Sequence, residues 1–206
     1  METHFYLVRH GETDYNLKGI VQGRGVNTSL NQTGQQQAKS LAARFAKEPI
    51  DVIYSSPLNR AFETAKCVAD ACGIKEISTD PGFEEMSWGI YEGQSSSDEL
   101  SAAFADMKRR WHEGEHDFQV ERGESLREVQ TRGVSAIQRT LAAEPGKQVL
   151  VVAHGRFLRI LLASLLEEYG IKRMEELEHT NTGVNYLIHQ DGKFHAEYLN
   201  CTRHLA

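Results

Sequence analysis

Cysteine is scarce in this chain. Cys67, Cys72 and Cys201 are its three residues, none sits in a C-x-x-C pair, and any single disulfide would leave one thiol over. That excludes a disulfide scaffold and makes a reducing cytoplasm the expected compartment. Proline, at 4 residues, builds no linker, and neither a low-complexity tract nor an internal repeat divides the chain. Long hydrophobic runs are also missing. The longest, 157–166, is interrupted by Arg159 and falls far short of the roughly 20 apolar residues that span a bilayer, so no membrane contact is expected. The chain begins with a strand-like run, 4–8, with no basic segment leading into an apolar core, so no signal peptide is expected either. Asn-x-Ser/Thr triplets at Asn27, Asn31 and Asn200 are accordingly read as chance. Positive charge is in deficit, 23 Lys and Arg against 29 Asp and Glu, for a net charge of −6. Such a chain has no general attraction for nucleic acid or for an anionic membrane. An anionic partner must be held by a local cluster of cations and N–H groups, and a small molecule is the expected partner.

What is present suits one core. A chain of 206 residues, 40% hydrophobic, fits a single domain over 1–206. Apolar strand-like runs at 4–8, 52–54, near Ile77 and at 149–152 alternate with stretches of helical period. The first helix is capped by Asn31, buries Ala38, Leu41, Ala42 and Phe45, and ends before Pro49. A second, with Ser56 and Pro57 as N-cap and first residue, buries Ala61, Ala65, Val68 and Ala69 and stops at Gly73. Another starts at Ser125 and breaks at Pro145-Gly146, and one more follows the 149–152 strand at once. Asp191-Gly192 between two apolar runs marks a hairpin. This alternation predicts a three-layer αβα sandwich with a largely parallel central sheet. The polar stretch from about 80 to 123, helical near 99–111, reads as an excursion from the core, with a lid-like part at about 94–122.

Two histidines stand directly beyond apolar strands, His10 after 5–9 and His154 after 149–153, each followed by glycine. In open parallel sheets ligands bind outside the carboxyl ends of the strands, so both imidazoles belong on the functional edge. Arg9 adds charge there, as does Arg60 in the first turn of its helix. The fragments Leu7-Val8-Arg9-His10-Gly11-Glu12-Thr13 and Val152-Ala153-His154-Gly155 closely resemble the paired signatures of the histidine phosphatase superfamily, the phosphoglycerate mutase-like fold. The resemblance extends through Ser55-Ser56-Pro57-Leu58-Asn59-Arg60-Ala61-Phe62-Glu63-Thr64-Ala65, the segment 83–93, and Gly123-Glu124-Ser125 with Arg132, so it covers almost the whole chain.

That resemblance implies a phosphatase of the family that needs neither metal nor other cofactor and acts on a small phosphate ester. It implies His10 as the nucleophile that forms a phosphohistidine, and Arg9, Arg60, His154 and Gly155 as the phosphate-binding set. Asn16, Gln22 and Gly23 fall where the family's first loop contacts phosphate. In 83–93 the family pattern selects Glu85 over Glu84 as the acid that protonates the leaving alkoxide and then activates water. The physics is compatible: attack needs neutral imidazole, and neighbouring Arg9 and Arg60 disfavour protonation of His10. Glu85 would have to start protonated.

Three other readings compete. His112-Glu113-Gly114-Glu115-His116 satisfies the H-E-x-x-H zinc-peptidase pattern, but it needs a continuous helix, and Gly114 costs about 1 kcal/mol there relative to alanine. A phosphoglycerate mutase would draw on Lys108-Arg109-Arg110, which weakly resembles the basic pair mutases use for a substrate carboxylate or second phosphate. A catalytically idle binding module would require the loss of a core site residue, and none is lost.

Overall fold

The computed structural model describes all 206 residues. Six strands form one sheet: β1 (Thr3–Arg9), β2 (Val52–Ser55), β3 (Ile77–Thr79), β4 (Gln148–Ala153), β5 (Val184–Gln190) and β6 (Lys193–Cys201), in the order β3-β2-β4-β1-β5-β6. The first four run parallel, whereas β5 pairs antiparallel with β1, and β6 with β5. The sheet is therefore mixed. Its helices are α1 (Asp14–Leu17), α2 (Gln32–Phe45), α3 (Asn59–Cys72), α4 (Asp98–Glu113), α5 (Leu126–Ala143) and α6 (Gly155–Leu165), joined by short 3₁₀ turns.

Strand side chains alternate between two apolar layers, as the pleat requires. Phe5, Leu7, Val149, Val151 and Ala153 face the larger core with α5 and α6, while Tyr6, Val8, Leu150 and Val152 face the smaller one with α2 and α3. Central strands buried on both faces explain the unbroken apolar runs of the sequence. Full burial of each such Leu, Val or Phe side chain stabilises by about 1.5–3 kcal/mol relative to exposure. No helix is long and apolar enough to cross a membrane, and all three cysteines are free thiols.

Local signals mostly act as expected. The side chain of Asn31 accepts from the Gly34 N–H and caps α2, and Ser125 forms a reciprocal capping box with Glu128 at the start of α5. Asp191 and Gly192 both adopt positive φ, 51° and 79°, as a two-residue hairpin turn of mirror type demands. The start of α3 differs. Its N-cap is Leu58, with no side-chain cap, two residues later than Ser56 suggested. The Ser56 hydroxyl is engaged elsewhere, 2.8 Å from His154 Nε2.

The 94–122 segment is anchored to the body. Helix α4 begins on a Ser97 cap and buries Leu100, Met107 and Trp111, the last two within the same core as Phe157 and Leu161. It stops at Gly114, which takes the left-handed conformation at φ 100°. His116 consequently lies beyond the helix, so His112 and His116 do not share one helical face and the zinc-peptidase arrangement is not formed.

Because Trp111 is fully buried, Trp111→Ala is expected to cost about 3–5 kcal/mol in urea unfolding. A loss below about 1 kcal/mol would show that α4 opens independently of the core.

Candidate active site

All four parallel strands deliver their carboxyl ends to one edge, and there a cavity of about 320 Å³ opens. It is lined by Arg9, His10, Asn16, Gln22, Arg60, Glu85 and Gly155, and on its outer side by Trp88, Lys108, Arg156, Arg159 and His179. Strand β1 brings Arg9 and His10 beside Ala153 and His154 of the neighbouring β4, which sets the two imidazole rings 5.1 Å apart. His154 is fully buried behind the cavity wall.

Each imidazole has its tautomer set by a partner. His10 Nδ1 lies 2.6 Å from the Gly11 carbonyl, which can only accept, so Nδ1 carries the proton and the Nε2 lone pair is free. The Ser56 hydroxyl accepts from the Leu58 N–H and has no acceptor of its own except His154 Nε2, so it donates there and leaves the proton of His154 on Nδ1. Burial holds His10 well below the ordinary histidine range, with the charges of Arg60 and Arg9 adding to it. His154 is lowered likewise, by burial first and then by Arg60 and His10. The arginines thus act in the expected direction, but burial is the larger cause.

Backbone carbonyls hold the two guanidiniums. Arg60 Nη1 donates to the Val26 carbonyl at 2.7 Å and Nη2 to Gly23 at 3.3 Å, and Arg9 Nη1 donates to His179 at 2.7 Å. Burial lowers both arginines, Arg60 to about 10. The Nε atoms of both, and Nδ1 of His154, are buried nitrogens with no protein partner. Buried donors without partners are rare and point to a ligand that accepts from them. Gly155 lets Arg9 approach closely, since a Cβ there would stand 3.3 Å from Arg9 Nε.

Glu85 is 7% exposed and closes the site from the 80–93 loop. Its Oε1 accepts from the Met86 N–H at 2.8 Å and the Phe157 N–H at 2.9 Å, and its Oε2 from the Arg156 N–H at 3.2 Å. The carboxylate therefore serves as the side-chain cap of α6 that His154, the N-cap residue, does not supply. All three of its partners are backbone N–H donors. Arg132 fixes this loop by donating to the carbonyls of Gly82, Glu84 and Glu85 while pairing with Glu124. Glu84 instead ion-pairs with Arg24, outside the cavity.

The first loop is braced by its own polar side chains. Asn16 closes a capping box with Thr13, and Gln22 donates to Thr13 Oγ1 at 2.8 Å. Gly23 does not line the cavity; its place is structural, because a Cβ there would collide with Glu92 Oε1. Of the basic run, only Lys108 reaches the cavity, while Arg109 and Arg110 pair with Asp106, Glu113 and Glu115 on the solvent side. Sequence reasoning missed Ser56 as a partner of His154, Thr64, whose Oγ1 accepts from the Gly11 N–H at 3.0 Å, and His179 with Arg156 and Arg159.

The model of the histidine phosphatase superfamily (branch 1) matches residues 5–202. The chain belongs to that superfamily. A Hydrogenobacter thermophilus protein assigned to the phosphoserine phosphatases is 35% identical, over 95% of this chain and 94% of its own length. A Serratia proteamaculans protein assigned to the phosphoglycerate mutases is 33% identical, over 78% of this chain and 74% of its own. Among solved structures, an Entamoeba histolytica phosphoserine phosphatase in complex with phosphoserine is similar, with a TM-score of 0.85, 29% identity and coverage of 99% of this chain and 100% of the other. Bacillus stearothermophilus YhfR superposes with a TM-score of 0.87, at 28% identity, over 99% of this chain and 100% of that one. Together these support an enzyme with phosphatase activity.

The buried histidines generate a prediction for stability. His10, His154 and His179, the last lowered to about 3, stay neutral in the folded chain below the pH at which they protonate when unfolded, 6.5. In that window the unfolded chain binds more protons, so stability rises with pH and is lost as pH falls. Each histidine contributes up to about 1.4 kcal/mol per pH unit, so urea unfolding should show a clear loss from about pH 7 to about pH 5. His179→Asn should flatten that loss. A level profile in wild type would contradict the burial assigned to all three.

Proposed function

We propose that this member of the superfamily hydrolyses phosphate monoesters of small metabolites through a phosphohistidine on His10. The observation that carries the reading is a neutral imidazole, its Nε2 lone pair free, in a cavity lined by Arg9 and Arg60, whose buried Nε atoms, like Nδ1 of the adjoining His154, have no protein partner. Nε2 attacks phosphorus as the ester P–O bond breaks, and the leaving alkoxide takes a proton from Glu85. Water then attacks the phosphohistidine, passes its proton to the Glu85 carboxylate, and releases phosphate and free His10. The proton that Glu85 takes from water in the second step is the one it gives to the alkoxide of the next substrate, so the cycle closes without a further proton source.

Arg9, Arg60, His154 and Gly155 hold the phosphoryl oxygens in this reading, with Asn16 and Gln22 at the rim. Such transfer is mainly positioning and electrostatic stabilisation, and fixed N–H donors in a dry site supply both. No step calls for a metal ion. A mutase is less well supported, since Arg109 and Arg110, on which it leaned, pair outside the cavity.

His10→Ala should abolish turnover while leaving the fold intact, and the wild-type phosphoenzyme should be acid-labile and base-stable. Label trapped on serine, threonine or aspartate would overturn the mechanism. Arg60→Ala should lower kcat by about 10²–10³-fold, the cost of one such donor. Arg60→Lys should restore only part of that, because an ammonium lacks the planar fork.

Glu85 and Glu84 separate by leaving group. An alkyl phosphate expels a basic alkoxide that needs a proton, whereas p-nitrophenolate leaves without one. Glu85→Gln should slow phosphoenzyme formation severely with alkyl phosphates and only modestly with p-nitrophenyl phosphate, which should then show a burst followed by slow turnover. Glu84→Gln should do neither. A larger effect at Glu84 would move the acid to that residue.

A further inference from the structure

The contact that sets His10 for attack is short and local, from Nδ1 to the carbonyl of the next residue, Gly11, at 2.6 Å. Gly11 has no Cβ, so its own backbone does little to fix where that carbonyl points. Glycine is nonetheless required, because a Cβ there would stand 2.6 Å from the Gly34 carbonyl oxygen. The carbonyl must therefore be aimed from outside the residue that carries it.

The peptide unit that joins Gly11 to Glu12 is planar, with its C=O and N–H directed oppositely. Whatever holds the Glu12 N–H thus also aims the Gly11 carbonyl. The holder is Gln37, in the second turn of α2, whose Oε1 accepts from the Glu12 N–H at 2.8 Å. Its reach depends on Gly34, three residues earlier on the same helical face, which lays its backbone against Glu12: a Cβ on Gly34 would stand 2.0 Å from the Glu12 carbonyl oxygen. An amide that donates at nitrogen becomes a better acceptor at oxygen, so the bond to Gln37 strengthens the hold on His10 as well as orienting it. The preceding peptide unit is gripped at both ends too. Asn181 Nδ2 donates to the His10 carbonyl at 3.0 Å, and the Gly11 N–H donates at 3.0 Å to Thr64, whose own hydroxyl proton goes to the Arg60 carbonyl. With that unit fixed, Gln37 governs the remaining freedom of Gly11.

We propose that Gln37 is a positioning residue for phosphoryl transfer: through the peptide between Gly11 and Glu12 it keeps the proton of His10 on Nδ1 and the lone pair on Nε2. The inference rests on the reading of His10 as the nucleophile. Gln37 does not line the cavity, so it acts on the imidazole and not on the phosphate. Nucleophiles of this kind are held by a further group that orients them, and here a side-chain amide does so with a backbone amide standing between.

The test is Gln37→Met, which keeps the size and helix preference of the side chain but removes the acceptor. Phosphoenzyme formation from p-nitrophenyl phosphate, followed by rapid quench, should slow about 10–10²-fold, the scale of a misplaced reacting group. Inorganic phosphate should still bind within about threefold of its wild-type affinity, because the groups that hold it are untouched. Imidazole nitrogen NMR of the resting enzyme, with His10 assigned by its loss in His10→Ala, should place the proton on Nδ1 in wild type and partly on Nε2 in Gln37→Met. Gln37→Glu, which keeps an oxygen acceptor, should return it to Nδ1, and Gln36→Met, at the exposed neighbouring position, should change nothing. A wild-type His10 spectrum in Gln37→Met, an equal Nε2 proton in Gln37→Glu, or a slower rate matched by an equal loss of phosphate affinity would overturn the proposal. The nucleophile reading is tested separately: failure of the wild-type chain to form a phosphoenzyme would remove it, and the spectra, taken without substrate, would still decide what Gln37 does to the imidazole.

Discussion

Two guanidiniums buried side by side are the constraint to which much else in this molecule answers. Taking Arg9 and Arg60 out of water costs several kcal/mol each unless the surroundings return the lost solvation. The return comes from the carbonyls of Val26, Gly23 and His179 and from the nearby charge of Glu85. Those carbonyls belong to irregular segments, which must therefore be held in place by contacts of their own. The Leu30 N–H donates to Glu63 of α3 and Asn31 Nδ2 to Glu12, while Asn181 Nδ2 donates to the His10 carbonyl. These contacts hold the loops around the charge that their carbonyls solvate.

Glu85 ties the chemistry to the architecture in a different way. A helix start leaves N–H groups without partners, and His154, the N-cap of α6, turns its side chain to Ser56 instead of capping. The Glu85 carboxylate takes over the vacant role from a loop 71 residues before Arg156, so acid and imidazole are placed relative to one another by a single helix terminus. Arg132 then grips three carbonyls of that loop, those of Gly82, Glu84 and Glu85. A side chain so constrained cannot swing to find a leaving group; the substrate must present itself to Glu85.

How much of this could be read in the sequence follows from the range of the interactions. Helix and strand positions were legible because they rest on period and on local caps: Asn31, Ser125 and Asp191-Gly192 act where they stand. His10, Arg9, Arg60, His154 and Glu85 were legible through motif resemblance, and the cavity contains or adjoins them all. His179, Arg156 and Arg159 were not. His179 precedes β5, and only because β5 runs antiparallel to β1 does its beginning lie against the end of β1, beside Arg9 and His10. Strand direction leaves no mark on a short apolar run. Ser56 was misread for a related reason: a serine before proline is a good local cap, but a long-range partner, His154, outbid the local one.

The two histidines carry this reasoning to its finest grain. Both follow an apolar strand, both precede a glycine, both are buried, and both are held neutral by that burial and by the same arginines. Composition and electrostatics would give them one chemistry. A single hydrogen bond to each makes them opposites. The Gly11 carbonyl can only accept, so it draws the proton of His10 to Nδ1 and leaves a lone pair on Nε2 for phosphorus. The Ser56 hydroxyl accepts from Leu58 and has no other acceptor for its own proton than His154 Nε2, so it occupies that lone pair and leaves a proton on Nδ1 for a phosphoryl oxygen. Nucleophile and donor are therefore distinguished by which partner stands behind the ring, a choice between a carbonyl and a hydroxyl, and the late start of α3 is what frees that hydroxyl from the helix to make it.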